Sequence, residues 1–394
     1  MNEKDFKKAI FDDPQNEDAW EAYGEFLRSL GDIRGELIAL ELSGGSERTK
    51  EIYEKHQKLW LGERLFNAMY PEPETPAKEL EEKGFLSKIT NVFSKAAKTV
   101  LPKRAPKFPI KLKWQFGFIK EIHVKQGWEK NSISSTEALE LALNSPAIEF
   151  VQEFSIDFLP DFDDNMAGIL NSFSDKKLQA MNKVHLGNFK YPEENEISWV
   201  SVGNVNKVFE LFPNLRNLHL TGSAIELGVI SHPKLKRLKL ETGALSADAI
   251  NSVMKAELPE MEDLEIWFGD EYYGAEGDNS LLTPLYTERL FPKLKKLRLK
   301  NSEFPNDIVK SLLNSELLTK IQLLDLSLGT MTDEGAQVLI EHKENFQHLD
   351  HINLRENFIS DEICLNLKDI YEDRVNIEDQ DLMEDDDLYV SVGE

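Results

Sequence analysis

The residues that could do chemistry in this 394-residue chain are few: eight histidines, one cysteine and scattered hydroxyls among 71 acidic side chains. Cys364 lies in DEICLNL, where the apolar spacing is helical and predicts a core thiol rather than a nucleophile. A single cysteine allows neither an intrachain disulfide nor a multi-cysteine zinc site. Ser46 follows Gly44-Gly45 but lacks the Gly-x-Ser-x-Gly elbow that exposes a nucleophilic serine. His348 and His351 stand three apart at the approach to a strand, and no His-Glu-x-x-His occurs. No nucleophile emerges with a base beside it, and the chain is expected to be non-enzymatic and to need no cofactor.

One stretch, WFGDEYYGAEGDNS from Trp267 to Ser280, invites a phosphate or cation reading, because it holds Gly269-x-x-x-x-Gly274 and four carboxylates. Both readings fail on the residues. Ala275-Glu276 follow Gly274 where a phosphate loop needs Lys-Ser/Thr, and the carboxylates repel phosphate. Counted from Asp270, the third position of a calcium loop is Tyr272 and its glycine position is Ala275. What remains is an insertion carrying Trp267, Tyr272 and Tyr273, aromatics suited to an interface or to folding back onto the edge of the fold. A metal- or ligand-binding loop at 267–280 is the less favoured alternative.

The elements that must position these residues repeat along the chain. Leu215-x-x-Leu218-x-Leu220 recurs as Leu235/Leu238/Leu240, Met261/Leu264/Ile266, Leu294/Leu297/Leu299, Ile321/Leu324/Leu326 and Leu349/Ile352/Leu354. Weaker copies stand at FIKEIHV, FVQEFSI and LQAMNKVHL, and a further strand is possible at Val375 to Ile377. Counted at Ile122, Phe154, Val184, Leu218, Leu238, Leu264, Leu297, Leu324 and Ile352, the spacings are 32, 30, 34, 20, 26, 33, 27 and 28. One short strand per unit with its apolar side turned inward is the leucine-rich-repeat pattern. Ser246, Asn306, Thr332 and Ser360 each precede a helical run and read as N-caps.

These long, helix-bearing units are similar to the ribonuclease-inhibitor-like leucine-rich repeats of bacterial proteins. The resemblance implies an α/β horseshoe with parallel strands on the concave side and helices on the convex side. The asparagine position departs from the family: only Asn357 fits, while Ser223, Gly243, Gly269, Ser302 and Gly329 stand at the others. Ahead of the repeats, KAIFDDPQNEDAWEAYGEFLRSLGDIRGELIALEL resembles the bacterial repeat-companion domain through Ala9, Ile10, Asp13, Pro14, Tyr23, Leu27, Gly31, Asp32, Arg34, Gly35 and Glu36. That likeness implies a small all-α module, with no catalytic residues. Gly24 departs from it and predicts a slight local loss of helix propensity.

Residues between the core positions of a strand face the open side of the sheet. Their middle column reads His123, Ser155, His185, His219, Lys239, Glu265, Arg298, Asp325 and Asn353. Lys239, Glu265, Arg298 and Asp325 alternate in sign and, with Trp267 as an aromatic anchor, form the candidate partner-binding face. His185 and His219 are neighbours there and are weak candidates for a metal pair, although Lys183 opposes a cation.

The remaining chain divides by composition. A helical module over 1–70 gives way to a linker over 71–113, the repeats span 114–370, and a tail of ten acids and one base begins at 371 and is expected to be solvated. Within the linker, Phe85, Ile89 and Phe93 form an apolar stripe flanked by Lys88, Lys95 and Lys98, a basic amphipathic helix over 85–101. It could cap the repeats, bind a partner, or lie on a membrane surface as a peripheral anchor. The net charge of −25 argues against nucleic acid. No secretory pattern or long apolar run stands out, so a cytoplasmic protein-interaction scaffold, with a protein partner and no small-molecule substrate, is the expectation.

Overall fold

A computed structural model describes residues 2–71, 108–125, 133–158, 165–174, 176, 178–287, 290–381 and 388–393. The amphipathic helix expected over 85–101 lies outside the described residues. The first segment folds into α1 (Glu3–Asp12), α2 (Glu17–Ser29), α3 (Arg34–Leu42), α4 (Glu47–Leu61) and α5 (Glu63–Met69). Asn16 caps α2 by accepting the Ala19 N–H at 3.0 Å, and Gly31 follows its end at φ 76°. Gly24 is more than a weak helix former. A Cβ on Gly35 would lie 2.4 Å from the Gly24 carbonyl, and one on Gly24 would press Ile38 at 3.1 Å. The glycines let α2 and α3 cross closely.

The rest is a mixed α/β fold around an 11-stranded sheet. Its strands are β1 (Ile110–Gln115), β2 (Phe118–Val124), β3 (Glu153–Ile156), β4 (Lys183–Leu186), β6 (Asn217–Thr221), β8 (Arg237–Glu241), β9 (Asp263–Trp267), β10 (Lys296–Lys300), β11 (Leu323–Asp325), β12 (His351–Asn353) and β13 (Val375–Asn376). Two more, β5 (Ser201–Asn204) and β7 (Ser223–Glu226), form a separate two-stranded sheet. Among the described strands of this sheet only β1 is antiparallel, a hairpin with β2 that closes one end and begins inside the segment read as linker. At the other end β13 lies in the segment read as tail.

The strand positions expected from the repeats pair directly with one another. Ile122, Phe154, Val184, Leu218, Leu238, Leu264, Leu297, Leu324, Ile352 and Val375 form one unbroken register column. All ten are buried in a core shared with helical residues such as Leu139, Ile250, Val309, Leu339 and Leu367. Ser246, Thr332 and Ser360 start helices as expected. Asn306 does not: the helix there is Pro305–Leu313 with Phe304 at its cap. Pro305 fits the first helical turn, where no amide donor is needed, and the Asn306 amide instead bridges to Thr332 Oγ1 at 2.9 Å. Among the described residues, no helix is long and apolar enough to cross a membrane.

Candidate functional site

Burial alternates along β8 and β10, with Leu238, Leu240, Leu297 and Leu299 buried and Lys239 and Arg298 partly open. One face of the sheet is thus core, and the other carries the polar columns. On that open face the expected neighbours Lys239, Glu265, Arg298 and Asp325 stand in register on β8 to β11. They are not a solvated ladder, for Asp263, Glu265 and Asp325 are all buried. Lys239 Nζ lies 3.4 Å from Glu265 and 2.8 Å from Glu241. Arg298 turns from Glu265 and Asp325 to pair with Asp263, which Arg237 also approaches at 3.3 Å. Asp325 accepts the Ser327 N–H at 3.0 Å. Burial alone would raise the Glu265 carboxyl, but Lys239 and the Trp267 N–H (3.0 Å) outweigh it and hold the group below its usual range.

Trp267 is not an exposed anchor. It is 8% exposed, with Lys300 Nζ 4.5 Å and Lys239 Nζ 5.5 Å from the ring, cation–π contacts that suit a ring among charges. Its apolar neighbours are Ile197, Leu328 and Val392. In the insertion that follows, Tyr272 is 89% and Tyr273 43% exposed.

His185 and His219 are neighbours as expected, with rings stacked at 3.7 Å and 12°. Lone pairs in two parallel rings do not converge on one ion. His219 Nε2–H instead donates to Glu241 at 2.8 Å, because a carboxylate offers only acceptors. Burial first, and the neighbouring imidazole second, push His185 down to about 2. Burial also lowers His219 despite the Glu241 bond. Glu241, which burial would raise, is held at about 2 by His219 and Lys239. The pair is therefore neutral over the physiological range.

Sequence reading missed one arrangement on this face. Ser155 Oγ lies 2.8 Å from His123 Nδ1, and His123 Nε2 lies 3.1 Å from Asp157. A hydroxyl, an imidazole and a carboxylate in line are the parts of a proton relay. The flanking N–H groups of Gly187 and Asn188 both donate to the Ile156 carbonyl, at 3.0 and 2.8 Å, and neither is free to hold an oxyanion.

At the edge where the strands end, the chain's last described residues return to the fold. For 388–393 this differs from the solvated tail expected from composition. Ser391 N–H donates to the Leu328 carbonyl at 3.0 Å. Asn301, fully buried, accepts the Val392 N–H at 2.9 Å and donates to the Val392 carbonyl at 2.5 Å. Val390 and Val392 are buried, and Tyr389 meets Phe358 edge-on at 5.3 Å. Each valine contributes about 2 kcal/mol, each hydrogen bond about 1 kcal/mol and the ring pair about 1 kcal/mol. Ordering each residue of 388–393 costs about 1–2 kcal/mol, so gain and cost lie within a few kcal/mol of each other.

The sequence matches no family model and no curated protein. Among solved structures the fold is similar to the crystal structure of a Bacteroides fragilis protein from the Northeast Structural Genomics Consortium. The two share 27% identity, over 62% of this chain and 69% of that one, with a TM-score of 0.54. That likeness and the mostly parallel sheet are compatible with a repeat protein.

Proposed function

We propose that the chain is a non-enzymatic scaffold of the leucine-rich-repeat horseshoe type, which holds a protein partner on the open face and loop edge of its sheet. The observation that carries this reading is the open face itself. Parallel sheets ordinarily bury both faces, whereas the parallel strands here turn a polar, charged face outward. The buried Asp263 and Glu265 are paired with Arg298, Arg237 and Lys239, Asp325 is held by the Ser327 N–H, and together these groups shape the floor. Half-exposed cations on the same face, Lys183 on β4 and Arg237 on β8, are the groups a partner would meet first. Trp267 supports the floor rather than reaching out.

Affinity capture from the native cell extract by the full chain, compared with a Lys183→Glu/Arg237→Glu variant and a Lys255→Glu control on the helical side, tests the reading. A partner retained by the wild type and the control but lost from the double variant is expected. Identical captured proteins for all three would remove the open face as the binding surface.

A further inference from the structure

The last described residues, 388–393, occupy a seat whose parts are those of a peptide-binding groove. We infer that this seat recognises extended segments of the pattern aromatic-Val-x-Val-Gly, and that the chain's own C-terminal segment fills it in cis until a partner segment displaces it. The inference rests on the protein-binding reading and gives one class of partner.

Four positions of the segment, Tyr389, Ser391, Val392 and Gly393, meet different groups, and Val390 is buried beside them. The Asn301 amide brackets Val392 with one accepted and one donated hydrogen bond, at 2.9 and 2.5 Å. These contacts touch only backbone and would hold any residue in extended form, as in recognition by strand addition. Identity is set by the surroundings: the Val392 side chain packs among Ile197, Trp267 and Leu328. Ser391 contributes its backbone N–H to the Leu328 carbonyl, a contact that any residue but proline can make. At the next position a Cβ on Gly393 would lie 2.5 Å from the Tyr273 ring, which favours glycine there. At the other end Tyr389 sets its ring edge-on to Phe358. Tyr273 of the insertion and Asn301 after β10 thus act together from two separate turns.

The near balance between what docking gains and what ordering costs makes the seat exchangeable. An intact cis segment acts as a tethered competitor, and its local concentration weakens any ligand supplied from outside.

The test uses the full chain and a fluorescein-labelled hexapeptide with the sequence of residues 388–393, Leu-Tyr-Val-Ser-Val-Gly, followed by fluorescence anisotropy. Val392→Asp, which places a charge in the apolar seat and releases the cis segment, should bind the peptide at least tenfold more tightly than wild type. Adding Asn301→Leu to that variant should lose tenfold or more. A Tyr389→Ala chain, a milder release, should gain a few-fold and keeps the test decisive if the aspartate variant does not fold. Equal affinity of wild type and both released variants, or equal binding of a scrambled hexapeptide, would overturn the inference. Such a failure, with partner capture still dependent on Lys183 and Arg237, would leave the open-face reading standing; loss of that dependence alone would leave the seat standing.

Discussion

His185 offers the sharpest check on the electrostatics of the open face. Its side chain stacks on His219 and is held neutral, with its protonation pushed down to about 2. In the unfolded chain it titrates near the ordinary histidine value of about 6.5. A histidine whose folded value is depressed costs nothing above the unfolded value, where both states are neutral. Stability is lost as pH falls below about 6.5, because only the unfolded chain takes up the proton. Between pH 7.5 and 5.0 the predicted loss from this one ring is about 2 kcal/mol, since each pH unit below 6.5 is worth about 1.36 kcal/mol. His185→Gln removes the titration. Urea unfolding of both proteins at the two pH values isolates the effect, because all other titrating groups are shared. The wild type should lose about 2 kcal/mol more than the variant over this interval. An equal loss would refute the claim that burial keeps the ring neutral.

Two further predictions concern the turns and the missed relay. Asn357 is fully buried and accepts the Met331 N–H at 2.8 Å while donating to Leu326 and Leu354 carbonyls at 3.0 Å. Asn357→Leu strands these backbone groups and should cost about 3 kcal/mol in urea unfolding; a change below about 1 kcal/mol would mean that the turns re-pair without it. Ser155 should resist a fluorophosphonate probe, because the flanking N–H groups of Gly187 and Asn188 are both spent on the Ile156 carbonyl. Labelling at Ser155 that His123→Ala abolishes, read by peptide mass spectrometry, would overturn the non-enzymatic reading.

The register was legible because a period-2 alternation and a recurring leucine triplet together specify which side chains face the core. A slip by one residue would turn Leu238 and Leu240 outward and bury Lys239. The same columns placed His185 beside His219 and Lys239 beside Glu265. They also set His123 beside Ser155, with Asp157 two residues on, a juxtaposition open to a cross-strand search for relays. What the columns could not show was depth. Asp263 and Glu265 are buried, although charged residues at such positions ordinarily read as solvated, because their partners come from neighbouring strands and from Trp267. The return of 388–393 was hidden for a different reason: ten acids in the tail dominate its composition, while the two valines that seat it carry no periodic signal. Gln380 was missed in the same way. Its side chain donates to the Leu354 carbonyl at 2.8 Å and accepts the Ile359 N–H at 3.1 Å, the work Asn357 does one unit earlier with a shorter amide.

The unbroken column from Ile122 to Val375 also bears on how such a chain changes length over time. Every strand in it is hydrogen-bonded only to the strand before and the strand after, and intervals between strands differ widely without shifting the pairing. The sheet is indifferent to what lies between its strands, and the extra residues after Trp267 are taken up outside the strands, with Leu282 and Leu285 packed into the core beside the helices. Gain or loss of a whole unit therefore leaves every other pairing as it was, and growth by duplication needs only one new seam to fit.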